Sequence, residues 1–469
     1  MALNPSIFKA YDVRGVYPVD IDEKGYKKLA RGIVSFFIRE LNNPHPVVVL
    51  GRDMRLSSPS LFEVAKEELV KSGAQVIDIG LSPTPTFYYA CIKYKADAGI
   101  DVTASHNPKE YAGSKFVIRQ GTEILKIGKA TGMDKVKQYA LTDDFVPYTD
   151  GGSIKVIEDA VAQEVDDALS EIDASQIKPF KVACDPANGM GSLYIKALFD
   201  KIPGELITMN FHLDGSFPAH QADPLDFNNL IPLQEKVKEV GADLGLEPDG
   251  DGDRIFFINE KAEVVPATHI SSLIASEVLQ AHPGQKVVVD IRYTRNVQNI
   301  VKKHGGTSII SKVGHAFITE DVNKNKAFYA GESSGHFYFG HTGGAESSVR
   351  VILYVLLAMS KTGKPLSEIL KELQTSYESG EFNFVLPENV KAADLTAEIE
   401  KEHPDGQVSR LDGLSIDYPE WRVNIRSSNT EPLLRLNVEA SSVELMESKR
   451  DEMMARITKS GATPKSAGH

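Results

Sequence analysis

The sequence predicts an α/β protein with three topologically similar mixed α/β units, followed by a smaller C-terminal α+β domain. Three apolar segments that end in aspartate recur at residues 46–53, 181–185 and 286–290. None of them alternates with polar residues, as expected of strands that are buried on both faces. A helical pattern and a second strand follow each segment, and such units form parallel or mixed sheets with helical crossovers.

The helices and second strands of the three units have recognisable limits. In the first unit a helix is predicted over 58–73, because Ser57 or Ser58 can cap it, Pro59 fits its first turn and Gly73 fits its end. A strand at 74–80 follows. The second and third units repeat this order with helices at 191–202 and 294–306, and with strands at 204–210 and 307–313.

Each unit then continues into a third strand that ends in a short polar loop. These loops are TASHNP (103–108), DGDGDR (249–254) and GESSGH (331–336). Ligands of open α/β sheets bind beyond the carboxyl ends of strands. If the three units pack around one centre, their equivalent loops form one site.

The pattern changes after about residue 374. Strands at 382–386, 407–418, 421–428 and 433–440, with helices at 392–403 and 442–458, predict a small α+β domain. We place the four domains at 1–150, 151–261, 262–373 and 374–469.

Length, charge and cysteine content restrict the class of protein. The chain has 469 residues, too many for one hydrophobic core, and its net charge of −13 disfavours non-specific binding to nucleic acid or anionic membranes. Cys91 and Cys184 lack metal-site spacing, and residues 1–15 lack a signal-peptide pattern. The apolar run at 351–359 is too short to span a bilayer and predicts a buried helix. We expect a cytoplasmic protein with no nucleic-acid or membrane partner.

The DGDGDR loop carries the strongest chemical signal. Asp249, Asp251 and Asp253 would repel one another unless a cation lay among them, and the intervening glycines let them converge. Such hard oxygen ligands suit Mg²⁺ or Ca²⁺. A solvated acidic turn is the alternative. An EF-hand is disfavoured because Arg254 stands where that loop requires glycine, and Arg254 is better suited to hold an anionic substrate.

The TASHNP loop is ambiguous by itself. Ser105 has three possible roles, which are a hydrolase nucleophile, a phosphate carrier and a turn residue. Neighbouring side chains point apart in an extended loop, so Ser105 and His106 are not expected to form a direct nucleophile–base pair. The sequence also lacks a G-x-S-x-G elbow here.

Two further loops contain groups that bind sugars and phosphates. In GESSGH, Glu332 and Ser334 project to the same side if the loop is extended, and they could grip neighbouring sugar hydroxyls. The segment RSSNTEPLLR (426–435) combines arginine, hydroxyl and amide groups between two strands, as in a phosphate cradle. A plain turn is an equally good interpretation of either loop by itself.

Taken together, these motifs resemble the α-D-phosphohexomutase family. The resemblance rests on AYDVRG, TASHNP…GSK, DGDGDR, GESSGH and RSSNTEP, which occur in that order over nearly the whole chain. It implies four domains around a central cleft and interconversion of hexose 1-phosphate and hexose 6-phosphate, of glucose or mannose, through a phosphoserine and a bisphosphorylated sugar. A phosphoglucosamine mutase is the alternative within the family. The resemblance also implies Mg²⁺, glucose 1,6-bisphosphate or mannose 1,6-bisphosphate as activator, sugar phosphates as partners, and a monomer or small homo-oligomer.

The resemblance assigns roles to individual residues. Ser105 would carry the phosphoryl group and, with Asp249, Asp251 and Asp253, would hold the metal. Arg254 would lie close to the transferred phosphoryl group, and Lys115 and His315 would be the general acid and base. The substrate-binding residues would be Tyr11, Arg14, Arg292, Gly314, Glu332, Ser334, His336, Arg426, Ser428, Asn429 and Thr430.

The sequence departs from the family pattern at three places. Ala112 stands where the family often has asparagine, Arg292 where it has a lysine, and HTGGAESS (341–348) where an aspartate pair is common. Arginine keeps the charge but cannot act as a base. Two other classes also stay open, which are a metal-independent Ser/His hydrolase and a non-catalytic sugar-phosphate-binding protein.

Overall fold

The computed structural model describes residues 3–428 and 433–465, which form four sheets with flanking helices. The first sheet has the strand order β1-β5-β4-β2-β3-β7, with β6 paired to β5. Its strands are β1 (Val13–Val16), β2 (Val47–Arg52), β3 (Gln75–Leu81), β4 (Ala98–Val102), β5 (Tyr111–Gln120), β6 (Glu123–Lys126) and β7 (Ser153–Val156). The helices of this unit are α1 (Glu23–Leu41), α2 (Ser58–Lys71), α3 (Thr84–Lys93) and α4 (Met133–Thr142).

The second and third units follow the same plan. The second contains α5 (Ala160–Glu171), β8 (Phe180–Cys184), α6 (Gly191–Phe199), β9 (Gly204–Thr208), α7 (Ile231–Val240), β10 (Leu244–Pro248), β11 (Ile255–Asn259) and β12 (Val264–Val265). The third contains α8 (Ala267–Ala281), β13 (Lys286–Asp290), α9 (Arg295–Lys303), β14 (Thr307–Ser311), α10 (His315–Asn325), β15 (Tyr329–Gly331), β16 (Phe337–Phe339), β17 (Ala345–Glu346), α11 (Ser348–Thr362) and α12 (Leu366–Leu373).

The three sheets share one four-strand pattern, as the sequence predicts. In the first, β3 and β4 flank β2 in parallel and β5 returns antiparallel to β4. The same order recurs as β9-β8-β10-β11 and as β14-β13-β15-β16. Each polar loop named above connects the third strand of this pattern to its antiparallel neighbour. The repeated topology therefore places the three loops at equivalent positions.

The C-terminal domain is an antiparallel sheet in the order β19-β20-β21-β22-β18-β23, covered by two helices. Its elements are β18 (Tyr377–Val385), α13 (Ala392–Glu402), β19 (Gln407–Ser409), β20 (Leu414–Asp417), β21 (Trp421–Ser427), β22 (Leu434–Ala440), α14 (Val443–Thr458) and β23 (Thr463–Lys465). Two expectations are corrected here. The stretch 407–418 forms a hairpin of two strands because Gly413, with a φ of 71°, turns the chain, and β18 begins earlier than residue 382.

The apolar cores explain the connections between units. Helix α11 is buried from Ser348 to Ser360 and packs in a core shared by the second and third units, so the stretch 351–359 forms the predicted buried helix. The first unit and the C-terminal domain have cores of their own. Within residues 3–428 and 433–465, no helix has both the length and the apolarity needed to cross a membrane.

Candidate active site

Ser105 lies in the loop between β4 and β5, where its backbone has a left-handed φ of 52°. Its N–H donates to the Thr103 hydroxyl at 2.9 Å. The buried Arg55, which follows β2, donates to the carbonyl oxygens of Ser105 and Pro108, both at 2.7 Å. The buried guanidinium group of Arg55 thus fixes the conformation of the TASHNP loop, called the serine loop below.

The Ser105 hydroxyl has two neighbours. His106 Nδ1 and Asp249 Oδ2 each lie 3.2 Å from Ser105 Oγ. The expectation that Ser105 and His106 point apart is therefore wrong, because the left-handed residue makes the loop turn instead of extending. Burial and the nearby Arg254 lower the pKa of His106 well below its ordinary value, so its imidazole is neutral.

The three aspartates converge in the loop between β10 and β11. One carboxylate oxygen from each of Asp249, Asp251 and Asp253 lies within 4.8 Å of the others, and all three residues are buried. The N–H groups of Gly252 and Arg254 donate to Asp249 Oδ1 at 3.1 and 3.2 Å. The glycine has a φ of 77°, which makes this tight turn possible.

The aspartate cluster fits a divalent cation. Asp251 Oδ1 is buried and has no hydrogen-bond partner among the described residues, and the buried Asp253 Oδ1 lies 3.3 Å from His336 Nε2. Burial and the two neighbouring carboxylates raise the pKa of Asp249 to about 8, because three buried negative charges destabilise one another. Mg²⁺ and Ca²⁺ both take carboxylate oxygen ligands, so either ion would relieve this repulsion.

Lys115 extends from β5 into the cluster. Its Nζ donates to Asp251 Oδ2 at 2.6 Å and also to Asp253, and the side chain is buried. Although burial opposes its charge, the aspartates raise the pKa of Lys115 above its ordinary value. Ala112 lies earlier in β5, pairs with Gly15 and packs in the first apolar core.

The GESSGH loop (331–336) connects β15 to β16. It is a tight turn, contrary to the expectation of an extended loop. Gly335, with a φ of 88°, donates its N–H to the Glu332 carbonyl at 3.0 Å. Glu332 and Ser334 nevertheless meet at His336, whose Nδ1 lies 3.3 Å from the Glu332 carboxylate and 3.0 Å from Ser334 Oγ. Tyr338 also donates to Glu332, at 2.9 Å.

An alternating series of charges connects the three loops. Lys115 contacts Asp253, and Asp253 Oδ1 lies 3.3 Å from His336 Nε2. His336 contacts Glu332, which accepts from Arg292 Nη2 at 2.9 Å. Although burial opposes ionisation, Asp253 and Glu332 raise the pKa of His336 to about 9. The loops of all three units therefore meet in one buried polar network.

The C-terminal domain contributes a pair of arginines. Arg426 in β21 lies opposite Arg435 in β22, and the two guanidinium groups bind Glu381 at 2.8 and 2.9 Å. Ser428 follows β21 and donates its N–H to Leu433 at 2.8 Å. Asn429 and Thr430, which the sequence assigns to the same cradle, lie outside the described residues.

Four residues from the first and third units border this network. Gly314 precedes α10 with a φ of 128°, and a Cβ there would lie 2.8 Å from the Tyr11 hydroxyl. His315 begins α10, with its ring 5.4 Å from that of Tyr11 and 6.3 Å from that of His336, measured between centroids. Arg14 donates to Asn107 in the serine loop.

The segment HTGGAESS contacts the site through Ser348 and Glu346. The Ser348 hydroxyl donates to the carbonyl oxygen of Gly252 in the DGDGDR loop at 2.9 Å. Glu346 forms a buried ion pair with Lys126, with Nζ–O distances of 2.5 and 2.6 Å. The sequence singled out HTGGAESS as a departure from the family pattern but gave no role to Ser348 or Glu346, and it gave no signal for Lys126 or Arg55, because a single lysine or arginine in a strand or loop carries no local pattern that identifies its partner.

Four family models match consecutive parts of the chain. All are described as phosphoglucomutase/phosphomannomutase: alpha/beta/alpha domain I over residues 5–140, domain II over 160–262, domain III over 266–377 and the C-terminal domain over 381–456. These matches follow the four sheets in order.

Individual relatives span nearly the whole chain. A protein named phosphohexose mutases from Xanthomonas campestris pv. campestris is 36% identical over 448 residues, covering 95% of this chain and 98% of the relative. A phosphomannomutase of Salmonella montevideo is 35% identical over 461 residues, covering 96% and 98%. The structure of a phosphoglucomutase/phosphomannomutase family protein from Burkholderia thailandensis has a TM-score of 0.86 at 29% identity, covering 98% of each chain.

Structures of a related enzyme are more distant. The N-acetylphosphoglucosamine mutase of Aspergillus fumigatus, in complex with glucose 1,6-bisphosphate, has a TM-score of 0.60 at 13% identity and covers 97% of this chain and 95% of its own. Another structure of that mutase contains GlcNAc-6P and magnesium, with a TM-score of 0.55 at 15% identity over 88% and 83% of the two chains. At these identities the similarity shows a shared fold alone.

Proposed function

The chain belongs to the phosphoglucomutase/phosphomannomutase family and is a sugar-phosphate mutase, and we propose that it interconverts the 1- and 6-phosphates of mannose and glucose with Ser105 as the phosphoryl carrier. The assignment of Ser105 as the phosphoryl carrier rests on one observation. The Ser105 hydroxyl lies 3.2 Å from Asp249, at the edge of a buried cluster of three carboxylates. A phosphoryl group on this oxygen would lie beside the cation that the cluster fits.

The metal would be held by Asp249, Asp251 and Asp253, with an oxygen of the serine as a further ligand. When bound, Mg²⁺ would neutralise negative charge on the phosphoryl group, which is the main requirement of phosphoryl transfer. Arg254 and Lys115 lie around the same carboxylates and add positive charge on the protein side.

The proposed reaction has two balanced transfers. A sugar hydroxyl attacks phospho-Ser105, the Ser105 O–P bond breaks and a sugar O–P bond forms, while the hydroxyl proton passes to a base and an acid donates a proton to the departing Ser105 oxygen. The bisphosphate then turns around and returns its other phosphoryl group to Ser105 by the reverse step. We assign the acid and base roles to Lys115 and His315. His315 Nδ1 is buried and has no hydrogen-bond partner in the part of the chain that the structure describes, so it is free for a substrate hydroxyl.

Substrate binding would involve the third unit and the C-terminal domain. Glu332 and Ser334, which meet at His336, would bind two neighbouring sugar hydroxyls. Arg292 is oriented by Asp290 and Glu332, and it would bind an anionic substrate without acting as a base. Arg426 and Ser428, with Asn429 and Thr430, would bind the phosphate that does not react. Tyr11, Arg14 and Gly314 would border the cleft.

The test combines mass spectrometry with a coupled assay. We expect one phosphoryl group on Ser105 in purified protein and almost complete loss of turnover in Ser105→Ala. Mannose 1-phosphate, glucose 1-phosphate and glucosamine 1-phosphate are compared with the bisphosphate activator and Mg²⁺ present. Substantial mutase activity of Ser105→Ala would reject the phosphoserine, and a preference for glucosamine 1-phosphate would support the phosphoglucosamine alternative.

The contact between Ser105 and His106 favours a second candidate, a Ser/His hydrolase. The two side chains lie 3.2 Å apart, which is close enough for the imidazole to accept the hydroxyl proton. A hydrolase of this kind would need no cation. Activity that persists in EDTA and releases inorganic phosphate would support it over the mutase.

A further inference from the structure

A cavity lies between the first and third units, beside the catalytic network. Its volume is about 700 Å³, and it is bordered by residues 8–11, by the region 120–137 and by helix α10. This volume is in the range of pockets that bind small molecules. Of the residues assigned to catalysis or substrate binding, only Tyr11 lines it. The cavity is thus a neighbour of the catalytic network and not part of it.

The entrance of the cavity is rich in lysine. Four lysines without an ion-pair partner among residues 3–428 and 433–465 line it: Lys9, Lys129, Lys137 and Lys324. The carboxylates of Asp134, Glu320 and Glu123 also line it, and that of Glu123 is bound by Lys326. Four unpaired ammonium groups face two unpaired carboxylates, which favours an anionic ligand.

The interior offers flat apolar surfaces and one unused polar atom. Phe8, Tyr11 and Phe317 are half-buried, and the rings of Tyr11 and Phe317 lie edge to face at 6.0 Å. Thr319 is 1% exposed and lines the cavity, and its Oγ1 has no hydrogen-bond partner among the described residues. A buried hydroxyl without a partner is costly, so a polar ligand atom would stabilise it.

We propose that this cavity binds a nucleoside phosphate, with its base against the aromatic side chains and its phosphate at the lysines, and that binding changes the turnover of the catalytic site. A ligand with both an aromatic ring and a strong negative charge uses both halves of the cavity. An inorganic anion would leave the aromatic surface exposed, and an uncharged ring would leave the lysines unpaired.

Two connections lead from the cavity to the catalytic network. Helix α10, which forms one wall, begins at His315. Lys126 also lines the cavity, and its partner Glu346 has a carboxylate oxygen within 4.8 Å of ligand atoms of Asp253 and His336. A ligand that joins the first unit to α10 would thus restrict groups that contact the reaction centre.

The binding test uses calorimetry with AMP, GMP, UMP and CMP, and with adenosine and inorganic phosphate as partial ligands. We expect at least one nucleotide to bind wild-type protein more tightly than about 1 mM, and both partial ligands to bind more weakly. Lys129→Glu/Lys324→Glu should weaken binding by about tenfold or more. Lys302→Glu/Lys303→Glu, two exposed lysines of α9 outside the cavity, makes the same charge change and should leave binding intact. Absence of nucleotide binding, or equal weakening in both double variants, would overturn the proposal.

A second experiment distinguishes nucleotide binding in this cavity from binding in the catalytic cleft. In Ser105→Ala saturated with glucose 1,6-bisphosphate and Mg²⁺, the nucleotide should still bind, whereas displacement by the bisphosphate would place it in the cleft and refute the separate site. With saturating hexose phosphate, the nucleotide should change kcat by about twofold or more in the wild-type enzyme but not in Lys129→Glu/Lys324→Glu. An unchanged kcat would reject the coupling. The calorimetry on wild-type protein without sugar phosphate does not depend on the mutase assignment.

Discussion

Gly250 packs against the backbone carbonyl oxygen of Ser105, and a Cβ atom at residue 250 would lie 2.5 Å from that oxygen. The TASHNP loop of the first unit and the DGDGDR loop of the second unit are in contact at this point. Only glycine allows the approach, because the carbonyl is itself held by Arg55 and cannot move aside freely. The distance between Ser105 and Asp249 therefore depends on the absence of a side chain at residue 250.

Gly250→Ala is expected to lower kcat/KM for hexose phosphates by about tenfold to a hundredfold, because a displacement of about 1 Å at the reacting atoms has effects of this size. Steady-state kinetics would measure it. Gly25→Ala in α1 is the control, since the nearest atom to its new Cβ belongs to the side chain of Leu3, at 3.2 Å. Full activity of Gly250→Ala would show that the loop contact does not position Ser105.

Removal of the divalent cation should abolish mutase activity, and Mg²⁺ should restore it. The three buried carboxylates repel one another without a cation, and Asp251 Oδ1 has no hydrogen-bond partner in the described parts of the chain. Asp251→Asn is expected to weaken Mg²⁺ binding by about tenfold or more in calorimetry. Asp223→Asn is the control, because Asp223 lies 3.7 Å from Arg254 but outside the cluster. Equal Mg²⁺ affinity of Asp251→Asn and wild type would exclude the cluster as the metal site.

Most of the fold could be predicted from local patterns. The three runs that end at Asp53, Asp185 and Asp290 are apolar without alternation, and this pattern identifies buried parallel strands whatever surrounds them. Likewise, the spacing of three aspartates by glycines indicates convergence without knowledge of the neighbours. The strands and the convergence of the aspartates could be predicted because each is determined by a few consecutive residues.

The conformation of the serine loop could not be predicted in this way. Ser105 adopts a positive φ because Arg55, from another part of the first unit, binds several carbonyl oxygens of the loop. No residue of TASHNP itself predicts the positive φ of Ser105. The ion pair of Lys126 and Glu346 is a similar case, because its partners belong to different units and each looks like an ordinary strand residue. Tertiary contacts, not local sequence, decide both features.

The buried pair of Lys126 and Glu346 should be essential to the contact between the first and third units. Both side chains are at most 3% exposed. Lys126→Met would leave the Glu346 carboxylate buried without its cation, and we expect a loss of about 3–5 kcal/mol in the free energy of unfolding. Denaturant titration would measure this loss.

The matched control for this pair is the exposed ion pair of Lys326 and Glu123, which joins the same two units. Lys326→Met should cost less than about 1 kcal/mol, because water solvates the carboxylate that remains. The double variant Lys126→Met/Glu346→Gln should recover part of the loss, since it removes the unpaired charge. If Lys126→Met and Lys326→Met had the same effect, burial of the first pair would have no energetic role.

Glu164 should make the stability of the protein depend on pH. This residue of α5 is 1% exposed and accepts a hydrogen bond from the Thr86 hydroxyl of α3 at 2.5 Å. Burial raises the pKa of Glu164 to about 7 from an ordinary 4.5, so folding favours its protonated form. The stabilisation from this group is complete below about pH 4.5 and is lost as the pH rises through about 7.

Glu164→Gln stays neutral and keeps an acceptor for Thr86, so it should unfold like the wild type at about pH 4.5 and be more stable by up to roughly 3 kcal/mol at about pH 8. Denaturant titrations at several pH values would measure the difference, with the exposed Glu158→Gln as a control that should follow the wild type throughout. A constant difference between Glu164→Gln and wild type over this range would mean that Glu164 is not protonated on folding.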